Sequence, residues 1–403
     1  MTEENKSIGK FPNLRFPGFE GEWEETTLGN LGSIITGSTP PTNEASFYNG
    51  NRLFISPVDI QTSRYIFKTK TTLTEKGFNK GRIIRKGSTY FVCIGSTIGK
   101  VGQATEESIT NQQINSIIPF NNDDDFVFSL LEYSSARIKS LSAEQAVPII
   151  NKTTFSNVQV IIPSIKEQKK ISLFFKLLDI KIQTQRKIIE DLRLLKKNIT
   201  KKIFNQQIKF KNTNQEEFSN WELTSLENIL IKYEEKSTYS NQYPILTSAR
   251  TGIYFQKDYF DDNEVASKDN TGYNVVPKGY FTYRHMSDDT IFKFNINDIC
   301  DKGIVSTLYP VFTTTGVNNY FLKEYLNEGQ EFKNYALLQK QGGSRTYMYF
   351  NKLSRLMLYF PPIDEQNKIA EFLKILDDKI NLENELLTQY ENQKKYLLQN
   401  LFV

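Results

Sequence analysis

The stretch Pro163-Ser-Ile-Lys-Glu-Gln-Lys-Lys-Ile171 recurs 198 residues later as Pro361-Pro-Ile-Asp-Glu-Gln-Asn-Lys-Ile369. The same interval separates Trp23-Glu-Glu-Thr-Thr-Leu28-Gly-Asn30 from Trp221-Glu-Leu-Thr-Ser-Leu226-Glu-Asn228. It holds onward through Phe174/Phe372, Leu178/Leu376, Asp179/Asp377, Ile182/Ile380 and Phe204/Phe402. The chain is a duplication with no net insertion between its copies, and between the shared ends the residues hardly agree. Two copies at so long a period argue against a solenoid, whose units run to a few tens of residues and need several neighbours. They argue for a pseudo-two-fold molecule with a common scaffold and two unlike variable parts, as suits something that addresses two different targets.

The shared segments read as long helices. Ser164 and Glu167 have the S-x-x-E spacing of a capping box, and Pro362 suits the first turn of the second copy's helix. Apolar residues then follow at Ile171, Phe174, Leu178, Ile182, Ile189, Leu192, Leu195, Ile199 and Ile203, with Gln185 as a polar interruption. In the second copy they follow at Ile369, Phe372, Leu376, Ile380, Leu387, Tyr390, Leu397 and Leu401. Spacing near 3.5 without Gly or Pro predicts coiled-coil seams, and a helix over 164–204 spans about 60 Å. Residues 164–211 hold 14 Lys/Arg against 4 Asp/Glu, a balance of +10, and 362–403 hold 5 against 8, a balance of −3. Segments of opposite sign attract one another, and if the two helices pair antiparallel each carries its own variable part at one end; ordinary amphipathic helices on separate domains are the alternative.

The variable parts, 17–163 and 212–361, carry strand-like runs at Tyr90–Gly95, Val158–Ile162, Gly279–Tyr283 and Leu356–Phe360. Turn signals at Gly37–Pro41 and Gln341–Ser344 separate such runs. Each variable part reads as a small α/β (α+β) domain. The 403 residues suffice for two to three domains. Cys93 and Cys300, one per copy, leave no disulfide framework and no zinc set. The polar segment Met1–Lys10 and the absence of a membrane-length apolar run lead us to expect a cytoplasmic protein away from membranes.

Catalytic constellations are missing. His285 is the only His, which removes His-based metal sites, Ser-His-Asp triads and Cys-His dyads; beside Arg284 it is expected to pack or hydrogen-bond. Gly95-Ser-Thr-Ile-Gly99-Lys100-Val101 is one residue short of a phosphate loop and lacks the Ser/Thr that holds magnesium, so it reads as a Gly pair flanking a buried Ile. Neither an Asn-Pro-Pro-aromatic run nor a Gly-x-Gly-x-x-Gly loop occurs. Glu234-Glu-Lys236 lacks a Pro-Asp partner for a nuclease site, and Asp179-Ile-Lys181 and Asp377-Asp-Lys379 read as solvated helix charge. No self-sufficient enzyme emerges.

The loops instead carry side chains that read DNA, where Arg or Lys recognise guanine, Asn or Gln adenine, and Ser or Thr either base. In the first variable part these are Ser38 and Thr39, Gln61 to Arg64, Ser96, Thr97 and Lys100, and Asn111, Gln112 and Gln113. In the second they are Lys236, Ser248, Arg250, Thr251, Arg284, Ser344, Arg345 and Thr346. For any one of them the plainer reading of a solvated or turn-capping loop residue outweighs the DNA reading; their recurrence in both copies favours DNA. The net charge of +4 does not itself announce nucleic acid, so weak binding by the chain alone is expected.

The paired Trp-x-x-x-x-Leu segments, the paired Pro-x-Ile-x-Glu-Gln-x-Lys-Ile helix starts and the unlike parts between them resemble the specificity subunit of type I restriction–modification systems. The resemblance runs from about residue 16 to the C-terminus, and Phe16-Pro-Gly-Phe-Glu-Gly-Glu-Trp23 is similar to staphylococcal members. It implies a tail at 1–16, target recognition domains at 17–163 and 212–361, and spacer helices at 164–211 and 362–403 forming an antiparallel coiled coil. Each domain is then expected to read half of a bipartite, asymmetric target in double-stranded DNA. The chain itself is expected to be non-catalytic and to bind no cofactor. Two modification subunits carry S-adenosylmethionine for adenine-N6 methylation, and restriction subunits use ATP and magnesium. The repeated Glu167/Glu365 and Lys181/Lys379 are candidate docking positions for the modification subunits. The competing readings are a self-contained restriction-type methyltransferase or nuclease, and a coiled-coil adaptor without DNA readout.

Overall fold

In each copy the two conserved ends pair with each other. In the computed structural model, which describes residues 10–142, 148–260, 269–340 and 345–403, Glu24–Thr27 runs antiparallel to Gln159–Ile162 and Glu222–Ser225 to Met357–Phe360. Glu24 lies opposite Ile162 and Glu222 opposite Phe360, so the register repeats with the sequence. The turn signal at Gln341–Ser344 lies outside the described residues.

The chain divides into two compact units, Met1–Ile188 with Glu383–Val403, and Ile189–Leu382. In the first, a five-stranded sheet has the order Gly32–Thr36, Ile114–Pro119, Thr89–Val92, Val101–Ala104 and Tyr65–Ile66. A three-stranded sheet is formed by Thr71–Leu73, Tyr48–Ile55 and Ile109–Thr110. The helix Asp124–Ser140 packs on the larger sheet. The apolar run predicted at Tyr90 is a fully buried strand, as a continuous hydrophobic stretch between turn signals should be. In the second unit the sheet order is Leu230–Tyr233, Val311–Thr314, Phe281–Tyr283 and Phe294–Ile296, with the helix Asn319–Glu328 packed on the last strand.

The predicted long helices span Ile165–Phe204 and Ile363–Leu401. Within the first unit they run antiparallel: Phe175 meets Phe402, Asp179 meets Lys394, Lys181 meets Tyr390 and Gln185 meets Glu383, one number rising as the other falls. In the second unit Lys196 of the first long helix pairs with Asp377 of the second. In the second helix Leu373, fully buried, replaces the predicted Phe372, and in the first the buried seam departs from the predicted one at two steps. Phe175, fully buried, replaces Phe174, and Lys196 replaces Leu195, which is 47% exposed. The alternating steps of four and three residues therefore continue unbroken from Ile171 to Ile203, as heptad packing requires.

Aromatic residues at the helix ends close both cores. Phe402 stacks on Tyr133 and Phe126 and meets Trp23 edge-on, while Phe204 stacks on Tyr325 with centroids 4.4 Å apart. Each is buried to within a few per cent, which stabilises its unit by roughly 1.5–3 kcal/mol. The tail of the second copy's helix thus completes the core around the first variable part. Among the described residues no helix is long and apolar enough to cross a membrane.

Candidate nucleic-acid interface

The repeated Glu-Gln pair at each helix start is internal. Gln168 accepts the backbone N–H of Asp123, the N-cap of helix Asp124–Ser140, and donates to the Pro163 carbonyl at 3.0 Å. Gln366 does the same with Asn318, which caps Asn319–Glu328, and with Pro361. One amide satisfies backbone groups on two elements at once, and so fixes the long helix to its domain.

Glu167 and Glu365 are buried, which corrects their assignment as exposed docking positions. Arg15 grips Glu167 through two bonds of 2.8 Å, so that carboxylate does not close a capping box. Burial raises the pKa of Glu365, against hydrogen bonds from the Trp221 indole and the Phe210 backbone. Lys181 and Lys379 are on the surface, Lys181 lying over the Tyr390 ring.

Asp179 and Asp377 are also not solvated charges. In the first unit Lys394 bridges Asp179 at 2.7 Å and Glu132 at 2.6 Å; in the second Lys196 bridges Asp377 at 2.7 Å and Glu324 at 2.9 Å. Lys196 and Lys394 are themselves 198 residues apart. Each lysine ties both long helices to the domain helix beside them. Burial draws the Lys196 ammonium down, but Glu324 and Asp377 outweigh it and hold its pKa above the ordinary lysine range. Burial likewise pushes the Glu132 carboxyl up against the pull of Lys394.

Arg64 belongs to this frame, a second correction. Its guanidinium is buried, bonded to Gln103 at 2.8 Å, paired with Asp179 at 3.0 Å and paired with Asp125, so it is not offered to a base. Burial pushes the Asp125 carboxyl up, yet Arg64, Lys176 and Gln103 prevail and lower its pKa.

The remaining polar loops of the first domain converge. Thr39 donates to the Gln112 side chain at 2.7 Å, the Ser38 N–H donates to Thr110, and the Gln113 carbonyl accepts from Cys93. From Cys93 the chain enters the turn Gly95–Lys100, which carries Thr97 and Lys100. Gly37 permits the close approach, because a Cβ there would lie 2.1 Å from the Asn111 carbonyl. Thr39 and Gln112 are exposed. The phosphate-loop look-alike is a hairpin turn between the antiparallel strands Thr89–Val92 and Val101–Ala104, with Ile98 buried, as its residues suggested.

In the second domain three of the predicted clusters meet. The hairpin turn carrying Arg250 and Thr251 is joined to the 286–291 loop by an Arg250–Asp289 pair, with both bonds 2.7 Å. Arg345 reaches Asp288 of that loop at 2.9 Å. Arg284 is exposed beside His285, whose ring bonds the Leu308 carbonyl and stacks on Tyr349. Ser248 is internal, accepting from Asn295 at 2.8 Å, and Thr346 is buried. Lys236 is exposed, and among the described residues no contact joins it to the Arg250 group. Glu234 and Glu235 pair with Lys232 and Lys302. Ser344 lies outside the described residues. The residue types did not reveal Asp288, Asp289, Tyr347 or Tyr349; the Lys196/Lys394 match was visible in the repeat.

Comparison with known proteins agrees with this arrangement. The model of the type I restriction modification DNA specificity domain matches residues 20–194 and again 194–392. The type I restriction enzyme MjaVIII specificity subunit of Methanocaldococcus jannaschii is 23% identical over 94% of this chain and 91% of its own length. The HindI specificity subunit of Haemophilus influenzae is 34% identical over 41% of this chain and 38% of its own. The crystal structure of a type I S subunit from M. genitalium has the same fold, with a TM-score of 0.55 at 16% identity over 98% of this chain and 99% of that one. The chain accordingly belongs to the specificity subunits of type I restriction–modification systems, the DNA-recognising and non-catalytic members of those complexes, and carries the family's specificity domain twice.

Proposed function

We propose that residues 17–163 and 212–361 each read one half of a bipartite, asymmetric DNA target, and that the paired long helices set the number of unread base pairs between the halves. The observation that carries this reading is the contrast between frame and loops. The clasp of paired end strands in each copy, Glu24–Thr27 with Gln159–Ile162 and Glu222–Ser225 with Met357–Phe360, repeats at 198 residues, as do the Gln clamps and the Lys–Asp–Glu bridges. The base-reading candidates do not: Thr39, Gln112 and Lys100 in one copy are answered by Arg284 and Arg345 in the other.

In this account the chain works in the cytoplasm and positions two modification subunits, which methylate adenine N6 with S-adenosylmethionine. Restriction subunits add the ATP- and magnesium-dependent steps. The long helices leave apolar side chains uncovered for such partners: Leu173, Leu177, Ile180 and Ile188 in the first unit, and Ile375 and Leu382 in the second. Single-molecule sequencing of methylated adenine in a host expressing this chain with its modification subunits tests the reading. Two short half-sites separated by a fixed unread gap are expected; one continuous motif contradicts it.

A further inference from the structure

The second domain presents an exposed two-stranded ribbon. Met286–Ser287 pairs antiparallel with Thr346–Tyr347. Burial alternates along both strands: Arg345, Tyr347 and Tyr349 are exposed while Thr346 and Met348 are buried, and Arg284 and Asp288 are exposed while His285 and Ser287 are buried. The pairing sets Met286 opposite Tyr347, and the exposed residues Arg284, Asp288, Arg345 and Tyr349 flank this pair. The rings of Tyr347 and Tyr349 stack 5.8 Å apart and His285 lies 4.9 Å from Tyr349, which stiffens the ribbon.

Its two ion pairs differ in what they leave open. Arg250 commits Nη1 and Nη2 to the two oxygens of Asp289, and that carboxylate is seated by the Ser287 hydroxyl at 2.8 Å and the Ile291 N–H at 3.2 Å. Its fork is closed. Arg345 is held through Nε alone, 2.9 Å from Asp288, and among the described residues its Nη groups have no partner. Bidentate recognition of guanine O6 and N7 requires two parallel N–H donors, and a major groove admits a two-stranded ribbon.

We propose that this ribbon enters the major groove at the second half-site, where Arg345, oriented by Asp288, reads a guanine, while Arg250 is a positioning residue that latches the hairpin turn to the ribbon. The proposal rests on the two-half-site reading above. It is tested with the purified complex of this chain and its modification subunits, by measuring affinity for duplexes in which each base pair of the target is replaced in turn. Arg345→Lys keeps the charge but loses the planar fork. It should cut discrimination at one G·C pair of the second half-site by roughly 5- to 150-fold and leave the first half-site unchanged, which also shows that the complex is folded. Asp288→Asn should weaken the same position less, and Arg250→Lys, which loosens the latch, should lower affinity by a similar factor for every replaced base pair of the second half-site without erasing the preference at that G·C pair.

Retained preference at all second-half positions in Arg345→Lys overturns the proposal, as does loss of the same preference in Arg250→Lys. So does a second half-site without a G·C pair. Collapse of both half-sites in Arg345→Lys also overturns it, by making an exposed side chain a folding residue. An uninterrupted wild-type target would sink the two-half-site reading itself, before any variant is made.

Discussion

At the scale of single residues, the polar groups in the helix seam decide more than their number suggests. Lys196 and Lys394 sit where an apolar side chain is expected, and each is enclosed by two carboxylates. Removing one member of a buried ion pair leaves an uncompensated charge and costs about 3–5 kcal/mol. Lys196→Ala and Lys394→Ala should each lower stability by that amount in urea denaturation; a loss under about 1 kcal/mol would show these bridges to be dispensable. The lysines were legible in principle, since they obey the 198-residue match, but Leu195 beside Lys196 drew the apolar pattern one residue off. Arg64 misled for a different reason: it lies in a polar, loop-like stretch, and only the tertiary approach of Asp125 and Asp179 shows it to be internal. No local pattern encodes such contacts.

At the scale of elements, the helices and the strands Gln159–Ile162 and Met357–Phe360 were readable because their signals are local: a heptad sustained over 40 residues, and apolar runs between turn signals; their short, mostly polar partners Glu24–Thr27 and Glu222–Ser225 were not. The order of strands in each sheet was not, because it depends on pairings between distant residues that periodicity does not carry. Gln185 and Glu383, equivalent positions of the repeat, bond to each other across the helix pair of the first unit. Inserting one heptad between residues 186 and 192, and one between 384 and 390, keeps the seam in phase and adds about 10 Å. The methylated motif should then gain about three unread base pairs with both half-sites intact. An altered half-site would contradict the role of the helices as a ruler.

For the whole molecule, the duplication makes one scaffold serve twice, and the chain's function lies in what the copies do not share. That division was visible from Pro163 and Pro361 outward, whereas the base-reading geometry proposed above was not, since it depends on which exposed side chains keep free donors after folding. The most direct measurement replaces residues 226–356, within the second clasp, by the corresponding segment of another specificity subunit of known target and sequences the methylated adenines. The first half-site and the unread gap should stay as they are while the second half-site becomes that of the donor. A change in both half-sites, or in neither, would contradict it.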